Sequence, residues 1–203
     1  WPWEGELADE DFELNPLSLY AKAKVAIERE ILGLEGQVDF HPTVLRFATA
    51  FGLAPRMRFD LTVSQFTRDM ALGRDMLVYD AATWRPYCHV KDFARLIQLV
   101  IETPSDKVSY QVFNAGGKSN NATKQMIVDS ILSKLERGKV KYKKHGSDPR
   151  NYRVDFNKIK TVLNFEPKYS IDDGINELLD AIGNHLFNDV ETKRNFYGNY
   201  ELL

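Results

Sequence analysis

A tyrosine and a lysine four residues apart, Tyr20 and Lys24, have the side chains and the spacing for proton transfer. Positions i and i+4 of a helix lie on one face, so a phenol and an ammonium can reach the same point. A phenol titrates at about pH 10 in water, and a nearby ammonium favours its phenolate form. A phenolate can remove a proton from a substrate hydroxyl while hydride leaves the same carbon. The spacing is compatible with an acid/base pair, but taken alone it favours a solvated helix face.

The residues around this pair predict a helix. The dipeptide Asn15-Pro16 is typical of a helix start, because proline is tolerated in the first turn, where its missing N–H would have no helical partner. Apolar residues then recur at roughly helical spacing to about Leu34, and Gly36 ends the pattern. Residues 1–15 are acidic, aromatic and aperiodic, which predicts a surface segment.

A second Tyr-x-x-x-Lys spacing joins Tyr87 and Lys91, in a stretch that we predict to be extended. Residues four apart in a strand do not converge as they do on one face of a helix. We therefore predict that only the first of the two spacings forms an acid/base pair.

The rest of the chain alternates strands and helices. Short β-branched or aromatic runs predict strands at 43–47, 76–79, 85–89, 110–114 and 139–143. Amphipathic runs predict helices at about 63–72, 90–102, 155–163 and 171–186, and one that starts at Asn121 or Thr123 and ends at Glu136. Asp60 or Thr62 is the expected cap of the first of these helices. The alternation predicts an α/β fold.

The composition excludes several classes of protein. Hydrophobic residues make up 43% and charged residues 28%, which is typical of a globular chain and not of a disordered or fibrous one. The net charge of −2 gives no basic field, so we predict no nucleic-acid partner, and the basic run 139–144 predicts a lysine-protected edge strand. The single cysteine, Cys88, indicates a reducing, cytoplasmic location. We predict no membrane partner and no metal site.

Segments of the chain, taken in order, resemble the extended short-chain dehydrogenase/reductase family, and more narrowly its NAD(P)-dependent nucleotide-sugar epimerases and dehydratases. The sequence N-P-L-S-L-Y-A-K-A-K at 15–24, followed by Glu28, resembles the family's catalytic helix. Further blocks resemble family motifs in the same order: 45–52, with Phe51 in place of a tyrosine, then 71–80, 85–92, 112–117 and 155–175. The ordered set, rather than any one motif, carries the resemblance.

The resemblance implies the C-terminal part of a Rossmann-type parallel sheet, interleaved with a small α/β substrate-binding domain. Residues 15–50 and 84–116 would belong to the dinucleotide-binding domain, residues 51–83 and 117–169 to the substrate domain, and residues 170–203 to a C-terminal helix and tail. The family's Gly-x-x-Gly-x-x-Gly turn has no match in the 203 residues. We therefore expect a fragment that needs a missing N-terminal half and is inactive alone.

The resemblance also implies roles for single residues. Tyr20 would be the acid/base. Lys24 would bind the nicotinamide ribose and favour the phenolate of Tyr20. Backbone around Phe47 and Ala48 would face the nicotinamide. The substrate-binding residues would be Thr49 (an asparagine in many members), Thr62, Leu77, Tyr79, Arg85 and Arg150.

Several of these assignments have a plainer alternative. Thr62 would be a simple helix cap instead of a diphosphate contact. Tyr79 would be a half-buried strand residue instead of the stacking partner of a nucleobase. Arg85 would form a surface ion pair instead of binding phosphate. His89, in the same motif as Arg85, is expected to be structural. Arg150 would substitute for a phosphate-binding arginine that many relatives carry a few residues earlier.

The implied activity is that of an NAD(P)-dependent epimerase or dehydratase that acts on a nucleotide-diphosphate sugar through a transient keto-sugar. The implied cofactor is NAD or NADP, and the implied partners are the nucleotide sugar and a second copy in a homodimer. The alternative is a non-catalytic member of the same fold that binds a nucleotide or a protein partner.

Overall fold

A computed structural model describes residues 6–135, 139–144 and 151–200. Its strands are β1 (Leu7–Ala8), β2 (Val44–Phe47), β3 (Thr49–Phe51), β4 (Met76–Tyr79), β5 (Trp84–His89), β6 (Val112–Ala115), β7 (Asn121–Thr123), β8 (Val140–Lys143) and β9 (Arg153–Val154). Its α-helices are α1 (Leu19–Gly33), α2 (Thr62–Ala71), α3 (Val90–Glu102), α4 (Ser105–Val108), α5 (Lys124–Leu132), α6 (Asn157–Leu163) and α7 (Ile171–Gly183).

Parallel pairing dominates the sheets. The pairs β1–β9, β2–β6 and β4–β8 are parallel, and β3, β5 and β7 form a three-stranded sheet in which β3 and β5 are parallel. Parallel neighbours require a crossover connection, and helices supply most of these crossovers here. The predicted α/β class is therefore confirmed. None of the helices in the described ranges has both the length and the apolar character needed to cross a membrane.

Three apolar clusters form the core. The first joins α2, α5 and α7 to β4 and β5, and includes Phe66, Met70, Val78, Ile127 and Ile175. The second lies between β6, α3 and α6, and includes Leu96, Phe113, Phe156, Ile159 and Phe165. The third packs the segment that follows α7 against α7 and against the residues before α2, and it includes Met57, Phe59, Leu178, Val190 and Tyr197. By contrast, α1 contributes no buried residue.

The start of α1 lies later than predicted. The N-cap is Ser18, whose Oγ accepts a hydrogen bond from the backbone N–H of Ala21 at 3.1 Å. A serine hydroxyl in this position satisfies one of the free N–H groups of the first turn. Pro16 therefore precedes the helix instead of occupying its first turn, and the expectation for Pro16 was wrong.

Long-range pairing accounts for other differences from the predicted elements. The segment predicted as a surface lead-in contains β1, which pairs with β9. The three-residue strands β3 and β7 were not predicted, and both pair with β5. The described part of α5 ends at Leu132, and Glu136 lies outside the described residues. Neither Asp60 nor Thr62 caps α2, because Leu61 is its N-cap and the Asp60 carboxylate binds Arg58 instead.

Candidate active site

The side chains of Tyr20 and Lys24 meet on the open face of α1. The Lys24 ammonium lies 5.6 Å from the centroid of the Tyr20 ring. Tyr20 is 73% exposed, so its phenol is accessible to a ligand in solution. This is the convergence that the i, i+4 spacing predicts. The second spacing behaves differently, because Tyr87 lies in strand β5 and Lys91 in helix α3.

An ion pair anchors α1 to strand β2. The guanidinium of Arg46 binds both carboxylate oxygens of Glu28, with Nε–Oε2 at 3.0 Å and Nη2–Oε1 at 2.6 Å. The Nη1 atom of Arg46 donates to the carbonyl of Glu10 at 2.9 Å. Two parallel donor–acceptor contacts fix orientation as well as distance. Since α1 buries no side chain, this bidentate ion pair holds the helix that carries Tyr20 against β2.

A cavity of about 250 Å³ lies at the carboxyl ends of β2 and β6, where ligands bind in open α/β sheets. Phe47 and Ala48 line it, as do Ala21 and Val25, which follow Tyr20 and Lys24 directly on α1. The Phe47 ring is 43% exposed, and Ala48 donates its N–H to the carbonyl of Ala115 at 3.3 Å. The two residues expected to face the nicotinamide thus lie beside the face of α1 that carries the acid/base pair.

The segment before α1 forms one wall of this cavity. Asn114 at the end of β6 holds it: its N–H donates to Glu10 Oε1 at 2.7 Å, and its Nδ2 donates to the carbonyls of Ala8 at 3.2 Å and Asp155 at 3.1 Å. None of the described residues at 6–15 is buried, as a surface segment predicts, but these contacts and β1 tie the segment across the strand ends.

Thr49 and Thr62 both lie next to the buried side chain of Tyr87. Thr49 is opposite Tyr87 in the β3–β5 register. The side chain of Thr62, the first residue of α2, forms a hydrogen bond with the Tyr87 phenol. Burial raises the pKa of Tyr87, and the Thr62 hydrogen bond offsets part of that rise. The alternative that Thr62 is a simple cap is wrong, since α2 has no side-chain cap.

Leu77 and Tyr79 lie on the open face of β4. They are 38% and 40% exposed, whereas the intervening Val78 is fully buried. Lys143 of β8 is opposite Tyr79 in the register, and Lys124 donates to the carbonyl of Tyr79 at 2.8 Å. An aromatic ring with cations nearby is thus open to a planar ligand.

Arg85 begins the stretch of β5 that leads to Tyr87. Its guanidinium carbon lies 5.4 Å from the centroid of the Tyr152 ring, and its Nη1 donates to the carbonyl of Trp84 at 2.8 Å. The charge of Arg85 also acts on the Tyr87 phenol, so Arg85 lies in the neighbourhood of Thr62. Arg150 lies outside the described residues. The structure thus gathers Thr49, Thr62 and Arg85 around Tyr87, and carries Leu77 and Tyr79 on a separate strand pair.

Three polar residues that hold the site together were not predicted from the sequence. These are Arg46, Asn114 and Glu177, whose partners lie 18, 104 and 88 positions away. No local periodicity marks such pairs. The only available signal was that Arg46 lies within the family-like block 45–52 and Asn114 within the block 112–117.

A family model described as "NAD dependent epimerase/dehydratase family" matches residues 2–116. A UDP-glucuronate 4-epimerase of Thermodesulfobacterium geofontis is 26% identical over 171 residues, which are 82% of this chain and 51% of that protein. A dTDP-glucose 4,6-dehydratase of Streptomyces niveus is 28% identical over 177 residues, which are 85% of this chain and 51% of that protein.

The fold is shared with solved structures. A dTDP-glucose 4,6-dehydratase of Bacillus anthracis in complex with NAD superposes with a TM-score of 0.78 at 23% sequence identity, covering 92% of this chain and 59% of that one. The likeness confirms the predicted Rossmann-type fold. The chain spans about half the length of the curated relatives it matches.

Proposed function

The chain belongs to the NAD-dependent epimerase/dehydratase family, and from this premise we propose that it carries the acid/base half of an enzyme that modifies nucleotide-diphosphate sugars. One observation supports this most: Tyr20 and Lys24 meet on an open helix face next to a cavity at the carboxyl ends of parallel strands. The alternative of a non-catalytic binding member has no comparable observation in its favour.

The open face of α1 fits the nicotinamide end of NAD or NADP. Lys24 offers an ammonium that can donate to ribose hydroxyls, and Phe47 offers a partly exposed ring beside backbone groups of Ala48. The bound cofactor would supply the hydride acceptor and donor for a sugar carbon. This chain has no glycine-rich turn for the pyrophosphate, so we assign that role to a further part of the enzyme.

Tyr20 would carry the proton. As a phenolate it accepts the proton of a sugar hydroxyl, and as a phenol it returns one when the keto group is reduced. In this proposal the Lys24 ammonium, 5.6 Å from the centroid of the Tyr20 ring, would be the cation beside the phenolate. The anchoring of α1 through Glu28 and Arg46 keeps the phenol in one place while the substrate turns over.

The substrate would extend from Tyr20 to the strand pair β4–β8. We assign the sugar to Thr49, the diphosphate to Thr62, Arg85 and Arg150, and the nucleobase to Leu77 and Tyr79. An arginine suits a diphosphate because its planar fork donates to two oxygens at once. A threonine at position 49 offers a hydroxyl but no amide, so it would form fewer hydrogen bonds with a sugar than an asparagine would.

The enzyme would need further polypeptide. Among the described strands, β2 pairs only with β6, so its second edge is open to another parallel strand of a dinucleotide-binding domain. Leu19 and Ile27 are exposed on α1 and suit a helix-to-helix contact in a homodimer. We place the enzyme in the cytoplasm because Cys88 is buried as a free thiol.

The proposal predicts conversion of a nucleotide sugar by the native gene product. Incubated with NAD and either UDP-glucuronate or dTDP-glucose, the protein should form an epimer or a dehydrated keto-sugar, as proton NMR of the sugar would show. The 203-residue chain alone should bind NAD very weakly, and binding below about 1 µM, roughly −8 kcal/mol, would contradict the need for further polypeptide. A folded native protein that converts no nucleotide sugar would leave the enzymatic proposal without support.

Replacing Arg85 with lysine should weaken UDP binding about 10- to 100-fold, because a charge-assisted hydrogen bond of about 1.5–3 kcal/mol loses its second donor. Isothermal titration with UDP on the native protein measures the loss. The matched control is Arg194→Lys, since Arg194 also stacks on a tyrosine ring, that of Tyr200 at 4.8 Å, but lies in the C-terminal segment. If Arg85→Lys and Arg194→Lys bind UDP with equal affinity, Arg85 does not bind the diphosphate.

A further inference from the structure

One carboxylate on α7 binds two other segments of the chain, the turn after β3 and the junction of β5 with α3. Glu177 accepts hydrogen bonds from His89 Nε2 at 2.9 Å, from the Lys91 ammonium, and from the backbone N–H of Leu53 at 3.4 Å. Its side chain is 23% exposed, so these donors replace much of the water that would otherwise solvate it. Among them, the N–H of Leu53 belongs to the segment that follows β3.

The tautomer of His89 is set by its two partners. The ring is fully buried, and Nδ1 accepts from the backbone N–H of Lys91 at 3.1 Å, which caps α3. Because Nδ1 is an acceptor, the proton of the neutral ring lies on Nε2 and is donated to Glu177. The ring also stacks on Tyr169 at 4.8 Å and meets the edge of Phe51 at 5.2 Å. His89 is thus held in one orientation.

The turn after β3 is packed directly against this assembly. Gly52 has a φ of +103°, and a Cβ on it would lie 2.3 Å from His89 Nε2. A Cβ on Gly174 of α7 would lie 2.5 Å from the Phe51 ring. Only glycine allows these approaches, one because of its backbone conformation and both because of space. The chain at 51–53 therefore lies closely between β5 and α7.

This turn lies between two candidate substrate contacts. Thr49 is three residues before Gly52, and the loop after Leu53 leads to Thr62 at the start of α2. The turn thus lies on the stretch of chain that connects the two threonines. Glu177 itself lies far outside the segment 2–116 that the family model matches.

We infer that Glu177 is a positioning residue for the substrate site, which acts by fixing the turn at Gly52 and Leu53 through His89 and the Leu53 N–H. The inference rests on the proposed function in one respect, namely that Thr49 and Thr62 contact the substrate. Glu177 touches neither substrate nor cofactor in this role. It sets where the stretch 49–62 lies.

The first test is amide hydrogen exchange on Glu177→Gln. Leu53 and His89 share one oxygen of the carboxylate and Lys91 uses the other. An amide keeps the shape of the side chain but offers one uncharged oxygen and turns an NH2 group toward a donor, so the hydrogen bond from Leu53 weakens and its amide should exchange about 10- to 100-fold faster. Asp180→Asn is the matched control, since it removes a carboxylate from an exposed position of the same helix. The Val44 amide, bonded to the Gln111 carbonyl at 2.9 Å, reports global opening. An unchanged Leu53 rate, or equal acceleration at Leu53 and Val44, would overturn the inference.

The pH dependence separates positioning from bulk packing. Partial burial alone would raise the pKa of Glu177. The hydrogen bonds from Lys91, His89 and Leu53 lower it by more, so the pKa of Glu177 lies below its ordinary value. Protection of Leu53 should therefore persist at neutral pH and fall as the pH drops through that lowered pKa. Glu177→Gln should lack this dependence. A wild-type profile as flat as that of the variant would count against the inference.

Two further measurements keep the outcomes distinct. If Glu177→Gln does not fold, nitrogen NMR of His89 in the wild-type protein still tests the inference. A proton on Nδ1 at neutral pH would contradict the hydrogen bonds in which Nδ1 accepts from Lys91 and Nε2 donates to Glu177. In the native protein, UDP affinity should fall about 3- to 10-fold in Glu177→Gln and stay at the wild-type value in Asp180→Asn. If wild type binds no UDP, the proposed function fails and the exchange result stands. If wild type and Glu177→Gln bind UDP equally, the positioning role fails.

Discussion

Replacing Tyr20 with phenylalanine is expected to reduce turnover of the nucleotide sugar by about 10²- to 10⁴-fold, the usual contribution of a positioned acid/base group. The ring remains, so Lys24 keeps its neighbour and only the proton carrier is lost. Because Tyr20 is 73% exposed, the unfolding free energy should change by no more than about 0.5 kcal/mol. The measurement is the initial rate of product formation by the native protein, together with urea unfolding.

Two comparisons make this result specific. Tyr200→Phe removes the hydroxyl of another exposed tyrosine in the C-terminal segment and should leave the rate unchanged. Lys24→Met should also slow turnover, because the phenolate would lose its neighbouring cation. A Tyr20→Phe enzyme with a near-normal rate would exclude Tyr20 as the acid/base, whatever the other two variants do.

The second large effect concerns stability. Asp92→Ala should lower the unfolding free energy by about 2–5 kcal/mol, because each donor left without its buried acceptor costs about 1–3 kcal/mol. The Asp92 side chain is fully buried and binds the guanidinium of Arg95. It also accepts from the backbone N–H groups of Lys168, at 3.0 and 3.1 Å, and of Tyr169, at 3.0 Å. An alanine would leave the two backbone N–H groups without their buried acceptor, whereas Arg95 is 34% exposed and keeps its hydrogen bond to the carbonyl of Glu166 at 3.4 Å.

Urea denaturation of the 203-residue chain measures this loss. The control is Glu102→Gln on the same helix, where the exposed carboxylate accepts a hydrogen bond from Gln98 at 2.8 Å and no other from the described residues. The change should stay within about 0.5 kcal/mol. If Asp92→Ala costs less than about 1 kcal/mol, the buried network does not hold the segment at 168–169 in solution.

Local signals were sufficient for the elements that carry the chemistry. Helix α3 begins and ends where its apolar spacing predicts, and α1 lies where the Tyr-Lys pair needs a helix. The short strands β3 and β7 could not be predicted, because three residues carry too little periodicity and their order depends on pairing with β5. The prediction that Asp60 or Thr62 caps α2 was wrong for a similar reason, because the Asp60 carboxylate binds Arg58 and not the N-terminus of the helix.

The candidate site likewise contains residues that the sequence could predict and residues that it could not. Tyr20 and Lys24 follow from spacing, since they are neighbours on one helix. Glu177 does not, because its partners lie in turns and helix ends that only the folded chain brings together. Motif resemblance marked the block that contains His89 and Asp92 and the block 155–175 that contains Lys168 and Tyr169, whereas Glu177 lies outside both.

The pairing of β1 with β9 also has a consequence for the order in which the protein is built on the ribosome. The residues that wall the cavity beside Tyr20 are synthesised early, yet their strand partner, Arg153–Val154, follows well over a hundred residues later. Until that strand has emerged, the segment before α1 has no strand partner, and its contacts with Asn114 remain to hold it beside the cavity. A nascent chain stalled before β9 would thus contain the complete Tyr-Lys helix beside an incomplete cavity, since Val154 and Phe156 also line it.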